Sequence, residues 1–202
     1  LNAAANITDD GSALTVLAAD VLTADAGGSV TLDTTVASAD ASTSAAGNID
    51  IDETDAIVLS DVDTNDGSIT VDAGGQITAT DVASLTDADA NDISLTTTAG
   101  DIAVGTVTAG SAGDATLNAA ANITDDGSAL TVLAADVLTA DAGGSVTLDT
   151  TVASADVSTS AAGNIDIDET NAIVLSDVDA NDGPITVDAG GQITATDVAS
   201  LT

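Results

Sequence analysis

The segment GSITVD at residues 67–72 decides the fold. A glycine and a small polar residue open it, and Ile69, Thr70, Val71 and Asp72 then alternate apolar and polar. Successive side chains of an extended chain point to opposite faces, so this alternation marks a strand with one buried face. The pattern recurs as GSVTLD at 28–33, GNIDID at 47–52, NDISLT at 91–96 and GDATLN at 113–118. It returns as GSVTLD at 144–149, GNIDID at 163–168 and GPITVD at 183–188. The intervals between the first aliphatic residues are 19, 20, 24, 22, 31, 19 and 20. In most coils a second Ile follows eight or nine residues later, at Ile57, Ile77, Ile102, Ile123, Ile173 and Ile193. One strand about every 20 residues with shorter strands between is solenoid spacing. Antiparallel hairpins would instead call for turn signals every 8–12 residues and two-residue Asn-Gly loops.

The expected fold is therefore all-β: a parallel β-helix (β-solenoid) with coils of about 19–24 residues and one longer coil. The 31-residue interval is expected to hold an excursion around ALTVLAADVLTAD at 129–141. The opening Gly or Asn of each segment suits a turn that needs positive φ. All eight segments are expected to stack as one ladder, about 4.8 Å per rung.

A longer repeat encloses the shorter one. Residues 1–86 recur as 117–202, and 87–116 complete the 116-residue period. The copies differ at four positions: Ala41/Val157, Asp55/Asn171, Thr64/Ala180 and Ser68/Pro184. Residues 1–202 thus read as one continuous solenoid, an excerpt of a longer tandem array. Near-identical repeats suit a structural or adhesive protein better than two catalytic domains.

Composition narrows the function. The chain has 34 acidic residues and no Lys, Arg or His, a formal charge of −34, and it lacks Phe, Tyr, Trp, Cys and Met. With 44% apolar residues it has too much core material for a charge-driven disordered chain. Nucleic-acid binding is excluded by the absence of cationic and aromatic side chains, and attraction to anionic membranes fails for the same reason. No apolar run approaches the roughly 20 residues of a membrane span, so no membrane insertion is expected.

GSITVDAGGQITATDV, GDATLNAAANITDDGSALTV and GDIAVGTVTAG resemble the repeats of filamentous-haemagglutinin-like large exoproteins. The resemblance covers essentially the whole chain. It implies a right-handed parallel β-helix, secretion to the extracellular space or bacterial cell surface, and a long rod with adhesive or surface-layer roles. It carries over no catalytic residue.

The residues available for chemistry are carboxylates, hydroxyls and amides. A paired-carboxylate glycosidase would need two Asp residues set apart from the rest, and none is, so no enzyme activity is expected. Cation binding is the stronger expectation. Reading down the ladder gives Asp33, Asp52, Asp72, Thr96, Asn118, Asp149, Asp168 and Asp188. Carboxylates about 4.8 Å apart repel by roughly 0.9 kcal/mol even in water, and no Lys or Arg relieves them. Calcium bridging these Asp residues along a rod or between rods is the proposed structural cofactor; a solvated surface with diffuse counterions is the alternative. A second candidate set is Asp-x-Asp-x-Asn-Asp before a strand: Asp61, Asp63 and Asp66; Asp87, Asp89 and Asp92; Asp177, Asp179 and Asp182. Its alternating oxygens suit a calcium loop, while the same residues also form ordinary turns.

The expected function is a structural segment of a long extracellular fibre, stalk or coat that assembles with itself end to end or laterally. An adhesin engaging another cell or a polysaccharide is the alternative, and an ice-binding solenoid built on LTTT at 95–98 and ITAT at 77–80 is a third.

Overall fold

The computed structural model describes residues 1–11, 17–125, 127 and 133–201. Among these residues there is no helix; 21 strands form one sheet, wound as a parallel β-solenoid of about nine turns with about 20 residues per turn. A regular turn has three strands, for example Ile69–Ala73, Ile77–Ala79 and Val82–Ser84, followed by Ile93–Thr97, Ile102–Val104 and Val107–Thr108. Each pairs in parallel with its counterpart one turn on. Three columns result. The first runs through Val30, Ile49, Ile69, Ile93 and Ala115. The second runs through Ile57, Ile77, Ile102 and Ile123, and the third through Val62, Val82, Val107 and Leu133.

Alternation explains the core. In Ile69–Ala73 the side chains of Ile69, Val71 and Ala73 are buried while Asp72 is exposed. Ile49, Ile69 and Ile93 stack directly on one another and are fully buried. β-Branched residues suit this pleated stack, and burying each such side chain is worth about 1.5–3 kcal/mol. The described hydrophobic core consists only of Ile, Leu, Val and Ala. Polar groups tie the corners from turn to turn: the Ser29 N–H donates to Asn6 Oδ1 at 3.0 Å, Ser68 N–H to Asn48 Oδ1 at 3.1 Å and Ser145 N–H to Asn122 Oδ1 at 2.9 Å.

The opening glycines serve packing rather than turn conformation. The positive-φ residues among those described are Gly11, Gly100, Gly110, Gly127 and Asp182. Gly47, by contrast, lies against the turn below, where a Cβ would sit 2.6 Å from the Gly28 carbonyl carbon. Close backbone approach is what requires glycine there.

The eight-rung ladder divides into two. Its first five rungs stack as expected, from Val30 to Ala115. The rung above Ala115 is Leu138, within the strand Leu133–Ala142, and not Val146. Val146 stacks on Ile123 in the second column, followed there by Ile165 and Ile185. The 31-residue interval is therefore one turn, Ala115 to Leu138, plus the step to the next column. Within the expected excursion, 133–141 is regular strand, while 129–132 lie outside the described residues. The consequence is a rotation. Five turns carry Val30 to Leu138, and its counterpart Val146 follows one column further round.

Candidate functional site: two carboxylate columns

Parallel in-register pairing places the candidate Asp residues. Asp33 pairs with Asp52 and Asp52 with Asp72, and the column continues through Thr96, Asn118 and Asp141. Asp149, Asp168 and Asp188 form a second triplet in register, on a different column of the rod. The six expected ladder residues are thus brought together three by three. Each triplet borders an open groove. One, of about 350 Å3, is lined by Asp33, Asp52, Glu53, Asp72, Gly74 and Thr98 among others. Its counterpart, of about 430 Å3, is lined by Asp149, Asp168, Glu169, Thr170, Asp188 and Gly190.

The electrostatics follow from having no cation nearby. Partial desolvation, then the charges of Asp50, Asp72, Asp33 and Asp9, push the Asp52 carboxyl above the usual range. Asp50, which lies between Thr31 and Thr70 in the pairing register, is raised by the same desolvation and by Asp72, Asp33 and Asp9. Asp9 is held low because its carboxylate accepts the N–H groups of Gly11 at 2.9 Å and Asp33 at 2.6 Å.

The second candidate set is not three equivalent loops. Asp61 and Asp63 lie in the strand Ile57–Thr64, and Asp177 and Asp179 in Ile173–Asn181. Val62 and Val178 are buried core residues, so alternation keeps these stretches in the strand. Only 87–92 forms a connecting loop, and two of its carboxylates, Asp87 and Asp92, are engaged. Asp87 accepts the Ser111 hydroxyl at 2.6 Å and the N–H groups of Ser111 and Ala112 at 2.8 Å, with the hydroxyl contributing most to its lowered pKa. Asp92 accepts the Asp114 N–H at 3.0 Å, Asp66 accepts Asn91 Nδ2 at 2.9 Å, and Asp89 is exposed in the turn. Asp182 takes a left-handed conformation, φ 52°, and its N–H donates to the Leu201 carbonyl. Among the described residues, no three carboxylates converge as a set able to hold a metal ion.

Two features escaped sequence reasoning. One is the grouping of Asp61 and Asp63, both already candidates, with Asp40 and Asp81 from neighbouring turns, where Asp40 pairs with Asp61. Desolvation, followed by the charges of Asp61 and Asp81, a hydrogen bond to Asp61 and the charge of Asp40, pushes Asp63 up to about 6. The DVD pattern at 61–63 was a visible signal, but its partners come from other turns. Glu53 is the second. It is 4% exposed, and its Oε2 accepts the Thr34 hydroxyl at 2.8 Å and the Val36 N–H at 2.9 Å, while Oε1 accepts the Asp55 N–H at 3.0 Å. Glu169 repeats the arrangement with Thr150, Val152 and Asn171. The signal available was rarity, since these are the only two Glu in the chain.

No protein-family model, curated protein or solved structure matches the chain. The fold and nested repeats define it as a parallel β-solenoid repeat protein, consistent with β-helix repeat proteins.

Proposed function

We propose that this chain is a structural segment of a long extracellular or cell-surface fibre, stalk or coat, with divalent cations supplying the counter-charge its surface lacks. The observation that carries the reading is the passage from one 116-residue repeat into the next. Ala115–Ala119 spans the boundary at residue 117 and pairs without a break back to Ile93–Thr96 in the first period and on to Leu138–Ala142 in the second. Each repeat caps the exposed edge of its neighbour, so length is added using the interface that already stabilises every turn. The resemblance to filamentous-haemagglutinin-like exoproteins supports the same reading. Cations would sit between neighbouring carboxylates along a triplet such as Asp33, Asp52 and Asp72, or between two rods, with water completing the coordination.

Two experiments test the two parts. Electron microscopy of the native material, with and without chelator, should show fibres whose integrity or bundling depends on cations; an absence of fibres removes the structural role. Melting in calcium, in magnesium and in chelator at matched ionic strength should rank calcium highest. An unchanged melting temperature removes the cation role alone.

A further inference from the structure

Val30, Ile49 and Ile69 lie in the first column, while their counterparts Val146, Ile165 and Ile185 lie in the second. Val62 lies in the third column; its counterpart Val178 stacks through Val157 and Ala140 on Leu117, back in the first. Leu59 lies in the second column; its counterpart Leu175 stacks through Ala155 and Leu138 on Ala115, also in the first. The first column thus passes to the second, while the second and third both return to the first. We infer that the 116-residue repeat is the unit of a two-fold screw, so that an array presents the same surface alternately to two opposite sides. This deepens the fibre reading and rests on it for any chain of further repeats.

The geometry is fixed by counting rungs. One repeat advances five turns and half of the next, so two repeats close after eleven turns. At a rung spacing of about 4.8 Å the axial step is about 26 Å and the true repeat about 53 Å. The Asp33–Asp52–Asp72 triplet and its later copies then alternate between two sides and never line one side alone. The partner this surface fits is a second copy of the same rod, met on either of two opposite sides with a stagger of one repeat. Lateral assembly is therefore a ribbon or sheet, with one neighbour on each of the two sides.

The screw can be tested first in this chain, which has no cysteine. Asn118 and Asp141 are exposed register partners on successive turns, whereas an unrotated repeat would put Asp149 above Asn118. Parallel neighbours fall within the Cα separation that a disulfide tolerates. The variant Asn118→Cys/Asp141→Cys should therefore lose its free thiols on mild oxidation and shift in gel mobility as a monomer. Asn118→Cys/Asp149→Cys should keep its thiols. The reverse result, or closure of neither pair, overturns the screw. The second measurement is diffraction or image power spectra from native fibres: a meridional reflection near 26 Å and a first layer line near 53 Å are expected. A repeat of about 24 Å, five unrotated turns, overturns the screw while leaving the fibre intact. If no fibre exists, the proposed function fails, and the disulfide pairs still decide the rotation.

Discussion

Glu53 and Glu169 are the only glutamates among 34 acidic residues, and both are buried. Each carboxylate collects a hydroxyl and two backbone N–H groups, which would otherwise be short of partners at a bend in the wall. Removing the acceptor strands those donors, at about 1–3 kcal/mol for each one left buried. Glu53→Ala should thus lower stability by about 2–4 kcal/mol in chemical denaturation, and Glu53→Gln, which keeps one acceptor oxygen, should cost less. Asp63 acts in the opposite sense. Its pKa of about 6 lies above the ordinary aspartate value near 3.9, so the folded form binds a proton more tightly than the unfolded chain. That stabilising contribution is complete below the unfolded value and is lost as pH rises through about 6. Asp50, Asp52, Asp81 and Asp156 are raised in the same direction, against lowered values at Asp9 and Asp87. The melting temperature should accordingly rise as pH falls from 7 toward 4.5, the reverse of ordinary acid denaturation. Asp63→Asn should raise the melting temperature at pH 7 and flatten the pH profile. A melting temperature that falls with acid over that range would contradict this account of the surface.

At the scale of the strand, alternation told which side chains face inward because the pleat has a period of two and the core is a single apolar face. The rungs from Val30 to Ala115 were legible on that basis. Leu138 was not recognised as a rung because LTADA lacks the glycine opening, although its Leu138, Ala140 and Ala142 are buried at alternate positions. Missing that rung placed Asp149 above Asn118. Burial of Glu53 was equally invisible, because two of its donors come from Thr34 and Val36 on the previous turn. The glycine column carries a prediction of its own. Gly47 lies between Gly28 and Gly67, and a methyl group at Gly67 would meet the Gly47 carbonyl oxygen. Gly47→Ala must force the turns apart at backbone atoms, which cannot rotate away as a side chain can. A loss of about 1–3 kcal/mol is expected in denaturant titration, of the size seen for overpacking. The same substitution at Gly11, where a Cβ would meet nothing, costs only what its left-handed φ of 67° imposes. A loss at Gly11 as large as at Gly47 would show that backbone contact is not the cause.

For the whole rod, the balance lies between a continuous aliphatic core and 34 like charges with no basic side chain to offset them. A solenoid is stabilised turn against turn, so the repulsion that matters most acts between adjacent rungs such as Asp33, Asp52 and Asp72. Salt reaches these charges because they lie on the outer face. The screening length falls from about 30 Å at 0.01 M to about 3 Å at 1 M, and so passes below the rung spacing of about 4.8 Å. Sodium chloride should therefore raise the melting temperature at pH 7 by at least about 4 °C over that range, equivalent to 1–2 kcal/mol for a chain of this size. The rise should shrink at pH 4.5, where Asp63 is largely protonated and the other raised carboxyls take up protons ahead of ordinary aspartates, leaving less repulsion to screen. This pairing separates charge screening from a general salting-out of apolar surface, which would act equally at both pH values. An equal rise at pH 7 and pH 4.5 would mean that the acidic columns cost the rod little and that its need for counter-charge is not what calcium would serve.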